Sequence, residues 1–315
     1  MLIKVILGFI IFFLVLFIYL HIQFHLKTSD DLEIYELEYP SKEKLEEVCD
    51  VRQPVLFSFD NQTIIYNTNL NFILNNYRSF EVKIRNIVEE ETYLLLELKN
   101  AVKLFKQDKT SLYYSENNQD FLNDTSVYKD FQSNDEFLRP YMVSNIMYDI
   151  WFGSENTCTP LRYGINYRTY LVLTQGTAQV KMTPPNSTRY LHPIYDYDNF
   201  EFRSPINPWK PQSQFLSDYD KIKFLEFTLT PGKTLFIPAN WWYTIQFKKD
   251  TSISYFSYRT YMNNLAITPY FGLHLLQKLN TKINLAKKIN IQADDSLRQE
   301  LNNTEFITEE TPLTN

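Results

Sequence analysis

Glycine is scarce, with 6 residues in a chain of 315. No Gly-rich loop of the kind that cradles phosphate can be drawn, and Ser/His/Asp or Cys/His catalysis has no supporting signature. Histidine is nearly as rare. The 4 histidines are His21, His25, His192 and His274. The first two flank an N-terminal apolar run, so at most His192 and His274 remain for a site in a folded domain. Cys49 and Cys158 are the 2 cysteines. They form no C-x-x-C and no Cys/His zinc spacing, and two free thiols suit them better than one disulfide. Clustered positive charge is also missing. The formal net charge is -6 and the pI about 5.4, which excludes a phosphate-binding surface for nucleic acid.

Aromatic residues are plentiful, with 23 Tyr and 24 Phe. They favour a strand-rich, aromatic-packed core. Val5 to Leu20 is an uncharged apolar run. As a helix it covers about 24 Å, and extended through Ile22 and Phe24 it reaches the ~30 Å of a bilayer core. A cleaved signal peptide competes with this reading but needs small residues before the cleavage point, whereas Tyr19 to Phe24 are bulky. A retained single-pass anchor is expected over residues 1–27, placing the protein in a membrane. The lone Lys4 only weakly favours an internal amino terminus. Sequons at Asn61, Asn123, Asn186 and Asn302 are about what chance places in so Asn- and Thr-rich a chain, so they do not bear on topology.

One large domain over 28–265 is expected next, followed by a helix over 266–290 and a polar tail, disordered by composition, over 291–315. Ser41 can cap a helix over Lys42 to Cys49. Pro54 to Phe59 and the segment around Val82 and Ile84 read as strands. Spacings of 3, 4 and 3 at Leu95, Leu98, Val102 and Phe105 predict an amphipathic helix within Thr92–Phe105. Further strands are expected at Tyr148–Phe152, Thr159–Tyr163 and Ser252–Tyr258, with Tyr195–Phe202 as an aromatic and acidic loop. Tyr170–Leu173 should pair with Ala178–Met182 across Thr174–Thr177 as a hairpin. The last helix should pack back through Leu275, Leu276, Leu279 and Ile283. The fold class is α+β, mainly β, a barrel or sandwich with flanking helices.

Thr230 to Phe247, TPGKTLFIPANWWYTIQF, organises the second half. Pro231-Gly232 is turn chemistry, Leu235 to Ile237 a short strand, and Tyr243 to Phe247 a second strand forming a hairpin with it. Upstream stand Trp151-Phe152-Gly153, then Thr159-Pro160-Leu161-Arg162-Tyr163-Gly164, Gln175-Gly176 and Pro184-Pro185. In this order and spacing the blocks resemble the core of the JmjC/cupin-like Fe(II)/2-oxoglutarate dioxygenases, most nearly the asparaginyl-hydroxylase type, over about Arg52 to Tyr261. The resemblance implies a double-stranded β-helix, a jelly-roll or cupin-like barrel.

It also implies a site. In that family a His and an Asp two residues later bind iron from one strand, alternate residues sharing a face, and a late His completes the triad. Those positions fall on Arg162, Gly164 and Tyr243. The Thr that contacts 2-oxoglutarate is kept as Thr159, while the Lys that pairs the distal carboxylate appears as Ala178. No metal, no cofactor and no catalytic residue is therefore expected. The former metal and cosubstrate positions are read as a ligand pocket of Thr159, Arg162, Gly164 and Tyr243. Arg168, Tyr170, Trp241 and Trp242 are further candidates for its wall, although adjacent tryptophans on a strand point to opposite sides. Asp196, Asp198 and Glu201 read more readily as a solvated loop than as a Mg or Ca site.

Arg162 has two readings: a fork for a carboxylate, or an internal ion pair with Glu226 or Glu201 that fills the vacated site. The leading function is a membrane-tethered pseudoenzyme that binds a small anion or a peptide end. The first alternative is an active Fe(II)/2-oxoglutarate hydroxylase with a displaced ligand set involving His192 or nearby acids. A rigid head that works through its surface, with a protein partner, is the other.

Overall fold

The structure is a computed structural model that describes residues 2–88 and 93–283. The strands are β1 (Tyr35–Leu37), β2 (Val55–Ser58), β3 (Glu81–Asn86), β4 (Tyr93–Glu97), β5 (Tyr113–Ser115), β6 (Val143–Gly153), β7 (Arg162–Tyr163) and β8 (Arg168–Gln175). They continue as β9 (Ala178–Thr183), β10 (Ile194–Asp196), β11 (Glu201–Arg203), β12 (Leu225–Leu229), β13 (Lys233–Ile237), β14 (Trp242–Phe247) and β15 (Ser252–Thr260). The larger sheet runs β1-β2-β13-β8-β15-β6-β5-β3-β4 and the smaller β10-β11-β7-β14-β9-β12. From β6 onward the chain shuttles between them. β6, β8, β13 and β15 lie in the larger sheet; β7, β9, β12 and β14 lie in the smaller. That exchange closes the two sheets into a double-stranded β-helix, the cupin-like barrel expected from the motifs.

Two expected hairpins are corners instead. The Thr174–Thr177 turn joins β8, which pairs with β13 and β15, to β9, which pairs with β14 and β12. Gly176 takes φ +74°, and a Cβ there would lie 2.8 Å from Thr251 Cα, so the chain can turn tightly enough to change sheets. Likewise β13 and β14, the two halves of the Thr230–Phe247 stretch, lie in opposite sheets, with Asn240 at φ 65° on the corner. Local turn chemistry predicted both bends correctly. The strands then found partners far away in sequence.

Three cores follow from strand alternation. One face of the larger sheet, including Tyr170, Val172 and Phe236, packs against helices Lys42–Cys49, Leu98–Gln107 and Val127–Asn134. Leu171, Leu173, Ile245 and Phe247 fill the barrel interior. Leu161, Phe202 and Trp242 pack outside the smaller sheet, against Tyr270 and Phe271 of the helix Thr268–Ile283.

Helix Lys42–Cys49 forms where expected, Ser41 Oγ accepting from Lys44 N. The Thr92–Phe105 helix is corrected. Tyr93–Glu97 is β4, paired with β3, and the helix starts at Leu98. Leu95 sat on the periodic series by coincidence; it is exposed, whereas Leu98, Ala101, Val102 and Phe105 are buried. Tyr195–Phe202 supplies strand residues to a β10–β11 hairpin rather than a plain loop. The last helix packs through Tyr270, Phe271, His274 and Gln277, leaving Leu275, Leu276 and Leu279 exposed. The expected tail over 291–315, and the end of the expected helix, lie outside the described residues.

The helix Leu2–Leu26 is long and apolar enough to cross a bilayer, and its residues 2–17 are all exposed.

Candidate functional site

β7 carries Arg162 and pairs with β14 so that Arg162 stands opposite Tyr243. Alternation along β14 turns Tyr243, with Ile245 and Phe247, into the barrel. Trp151 of β6 and Tyr255 of β15 come from the facing sheet and stack with ring centres 4.9 Å apart. The Arg162 guanidinium carbon lies 4.9 Å from the Trp151 ring centre and 5.8 Å from that of Tyr243. Together these residues line a cleft of about 870 Å³, which Gly164, Glu116, Arg85, Asp149 and Glu201 also border. The mouth of the barrel is thus open.

Charge in the cleft is arranged as a chain of alternating sign. Arg162 Nη1 lies 2.6 Å from Glu116 Oε2, and Arg85 Nη1 lies 2.6 Å from Glu116 Oε1. Arg85 Nη2 then reaches Glu201 Oε2 at 3.1 Å, and Arg203 Nε lies 3.5 Å from the same oxygen. The chain begins and ends on a guanidinium, while around the whole cleft the basic Lys83, Arg85, Arg162, Arg203 and Arg259 are matched by the acidic Glu116, Asp120, Asp149, Asp196 and Glu201. Tyr114 adds a hydroxyl to Glu116 Oε1 at 3.1 Å. Burial pushes the Glu116 carboxyl up, but the Arg162 and Arg85 cations outweigh it and hold the group below the usual carboxylate range. Burial disfavours the Arg162 cation, yet Glu116 holds it firmly charged. Burial raises the Tyr243 phenol, so it is neutral at physiological pH.

Arg162 is incompletely satisfied. Its Nε and Nη2 are buried and have no hydrogen-bond partner. Buried guanidinium N–H groups are normally paired, and an unpaired one costs the protein its desolvation.

Asp149, on β6 beside Trp151, is the other buried carboxylate of the cleft. It accepts from Asn117 N at 2.6 Å, Asn118 N at 2.7 Å, Ile150 N at 2.8 Å and Trp151 Nε1 at 2.7 Å. Burial outweighs these donors and raises its pKa to about 6.

Of the residues named from the sequence, Arg162, Gly164 and Tyr243 come together in the cleft. Thr159 does not line it; its Oγ1 accepts from Ile245 N at 3.0 Å and its carbonyl accepts from Thr244 at 2.6 Å. Arg168 and Tyr170 also lie elsewhere, because even-numbered β8 residues face the helical layer. Arg168 pairs with Glu46 and Asp50, and Tyr170 packs against Cys49. Trp241 and Trp242 do point to opposite sides, but neither borders the cleft. Trp241 is buried in the barrel, donating to Arg52 O at 3.1 Å, and Trp242 lies outside the smaller sheet, donating to Thr188 Oγ1 at 2.8 Å.

The partner of Arg162 is Glu116, neither Glu226, which pairs with Lys181, nor Glu201, which pairs with Arg85. A buried arginine calls for a carboxylate, but no spacing rule links β7 to a residue just beyond β5. His192 is half-exposed and 2.9 Å from Asp218 Oδ2; His274 Nδ1 is 2.9 Å from Tyr197 O. Asp196 Oδ1 accepts from Asp198 N and Asn199 N of its own turn. Among the described residues, no group of three His, Cys, Asp or Glu comes together as metal ligands.

An eight-stranded exchange between two sheets, with a cleft at its open end, defines a cupin-like barrel. The chain belongs to the cupin-like domain family, whose pattern residues 40–263 match. Human HSPB1-associated protein 1 is 30% identical over 101 residues, which cover 31% of this chain and 20% of that protein. The mouse protein of the same name is 28% identical over 109 residues, covering 33% and 22%. Zebrafish lysine-specific demethylase 8 is 26% identical over 102 residues, covering 32% and 25%. The chain thus aligns with a quarter or less of the length of these relatives.

Proposed function

We propose that this protein is a membrane-anchored, catalytically degenerate cupin-like module whose cleft binds an anionic group, a small carboxylate or the carboxylate of a peptide end, at Arg162. The observation that carries this reading is the pair of unpartnered N–H groups, Nε and Nη2, on a buried guanidinium that borders an open cleft. Side-on, these two groups form the fork that a carboxylate occupies with two parallel hydrogen bonds. Glu116 holds the cation in place from its other side, and Trp151 and Tyr243 supply flat apolar walls.

The residues present do not fit a ferrous ion. A guanidinium, a glycine and a neutral phenol offer no carboxylate or imidazole where relatives hold the metal. A guanidinium also has no lone pair to give a metal. His192 is engaged by Asp218 away from the cleft, and Asp196, which borders the cleft, accepts from Asp198 N and Asn199 N of its own turn, which speaks against a displaced ligand set.

The test is calorimetric titration of the full chain, in lipid nanodiscs, with succinate, 2-oxoglutarate and inorganic phosphate. Binding that Arg162→Gln removes supports the reading. Equal behaviour of the parent and Arg162→Gln toward all three probes overturns it.

A further inference from the structure

We propose that the short helix Tyr261–Ala266 and the start of the helix Thr268–Ile283 rest on the bilayer surface, as a second membrane contact beside the N-terminal span. The proposal rests on the reading of Leu2–Leu26 as a membrane span.

Its basis is how the span leaves the domain. Ile18, His21, Ile22 and His25 are the partly covered residues of the span's last turns, spaced 3, 1 and 3 apart on one face. That face packs against the helix Tyr261–Ala266. The junction is pinned by several contacts. His25 Nε2 lies 3.3 Å from Thr260 Oγ1, the cap of that helix, and the His25 and Tyr167 rings are 5.0 Å apart. Arg52 stacks at 5.0 Å on the Phe24 ring. Eight residues of helix span about 12 Å. Packing that starts at Ile18 therefore holds the short helix level with the outer part of the apolar run rather than well above it.

The surface held there is apolar where a soluble protein would be polar. Tyr261 is 61% exposed and Leu265 40%. Tyr141 and Met142 are 70% and 68% exposed on the neighbouring loop, where Met142 O accepts from Tyr261 N. The next helix continues the patch. It turns Tyr270, Phe271 and His274 to the barrel, leaving Leu273 and Leu276 facing out. Exposed apolar side chains gathered in this way mark an interaction surface. Tyrosine and leucine side chains suit the headgroup–acyl boundary. Continuity with the span selects lipid as the occupant over a second copy.

The arrangement also bears on the cleft. Asn263 Nδ2 of the short helix reaches Ile165 O at 3.5 Å, and Ile165 and Asn166 border the cleft. Docking would hold the cleft next to the membrane surface, where a ligand at the headgroup layer can reach it.

The experiment places an environment-sensitive fluorophore on single cysteines in the full chain, with Cys49→Ala and Cys158→Ser as background. The chain is reconstituted at high dilution in vesicles of phosphatidylcholine and phosphatidylserine carrying nitroxide lipids. Phe12→Cys reports on the span itself. Leu265→Cys and Leu273→Cys report on the proposed contact. Tyr66→Cys serves as the remote site: it borders Thr174 and Gln175, at the opposite end of β8 from the Tyr167 junction, roughly 23 Å along the strand. Loss of emission at Phe12, Leu265 and Leu273, with Tyr66 unquenched, is expected. Quenching at Phe12 with either Leu265 or Leu273 as bright as Tyr66 overturns the docking proposal and leaves the anchor intact. An unquenched Phe12 removes the anchor and the docking proposal together, while binding at Arg162 can still be scored separately.

Discussion

Glu116 Oε2 lies 2.6 Å from Arg162 Nη1, and the carboxylate is shared with Arg85 on its other oxygen. A single buried glutamate thus bridges two guanidinium groups. Its removal should be among the most damaging changes available in the chain.

Glu116→Gln should destabilise the fold by roughly 3–5 kcal/mol, the cost of leaving buried charge uncompensated. Chemical denaturation of parent and variant measures it. The pH dependence has a definite sign. The folded pKa of Glu116 lies below its unfolded value, so its contribution is present above about pH 4.3 and is lost as pH falls through the folded pKa. Glu116→Gln should flatten that acid limb.

Asp149 should act in the opposite direction. Its folded pKa, about 6, lies above the ordinary 3.8, so the folded state holds the proton between those values. Stability should fall by about 3 kcal/mol as pH rises from about 4 to above 6, where the carboxylate ionises in its buried site. Asp149→Asn, although less stable because an amide cannot accept all four donors, should lose this slope. Melting temperatures between pH 4 and 7 distinguish the two variants.

Three glycines should respond differently to alanine. At Gly164 nothing lies within 4 Å of an added Cβ, so Gly164→Ala should stay within about 0.5 kcal/mol of the parent. Gly176→Ala combines φ +74° with backbone atoms at 2.8–2.9 Å, and Gly153→Ala drives a Cβ to 2.6 Å from the Phe247 ring. Each should cost about 1–3 kcal/mol. The Gly164 result also matters for the site, since it tests whether the cleft wall has room for a side chain there.

Much of the barrel was legible in the sequence. Thr159 to Gly164 and Thr230 to Phe247 carry the turn glycines, prolines and strand alternation that this fold needs, and they put Arg162 opposite Tyr243. Partner choice was not legible. The turns at Gly176 and Asn240 look like hairpins locally, yet barrel closure sends the flanking strands into different sheets. Leu95 matched a helical period because three leucines in a row satisfy any period. Arg168 and Tyr170 are only candidates for the mouth in the sequence, because the face of a strand buried on both sides cannot be read from hydrophobicity. Glu116 was missed because its link to Arg162 exists only in three dimensions.

Arg162→Gln should weaken carboxylate binding by roughly 10- to 100-fold, the loss of a charge-assisted hydrogen-bonded pair. Succinate titration compares it with the parent. Tyr243→Phe keeps the aromatic wall and should retain most of the affinity.

The most direct test measures iron content and turnover together. The full chain in nanodiscs is supplied anaerobically with Fe(II) and 2-oxoglutarate, freed of unbound metal, and then exposed to oxygen. The account predicts substoichiometric iron and no succinate above the background of a protein-free sample, with 2-oxoglutarate binding that depends on Arg162. One iron per chain together with oxygen-dependent succinate release would contradict it.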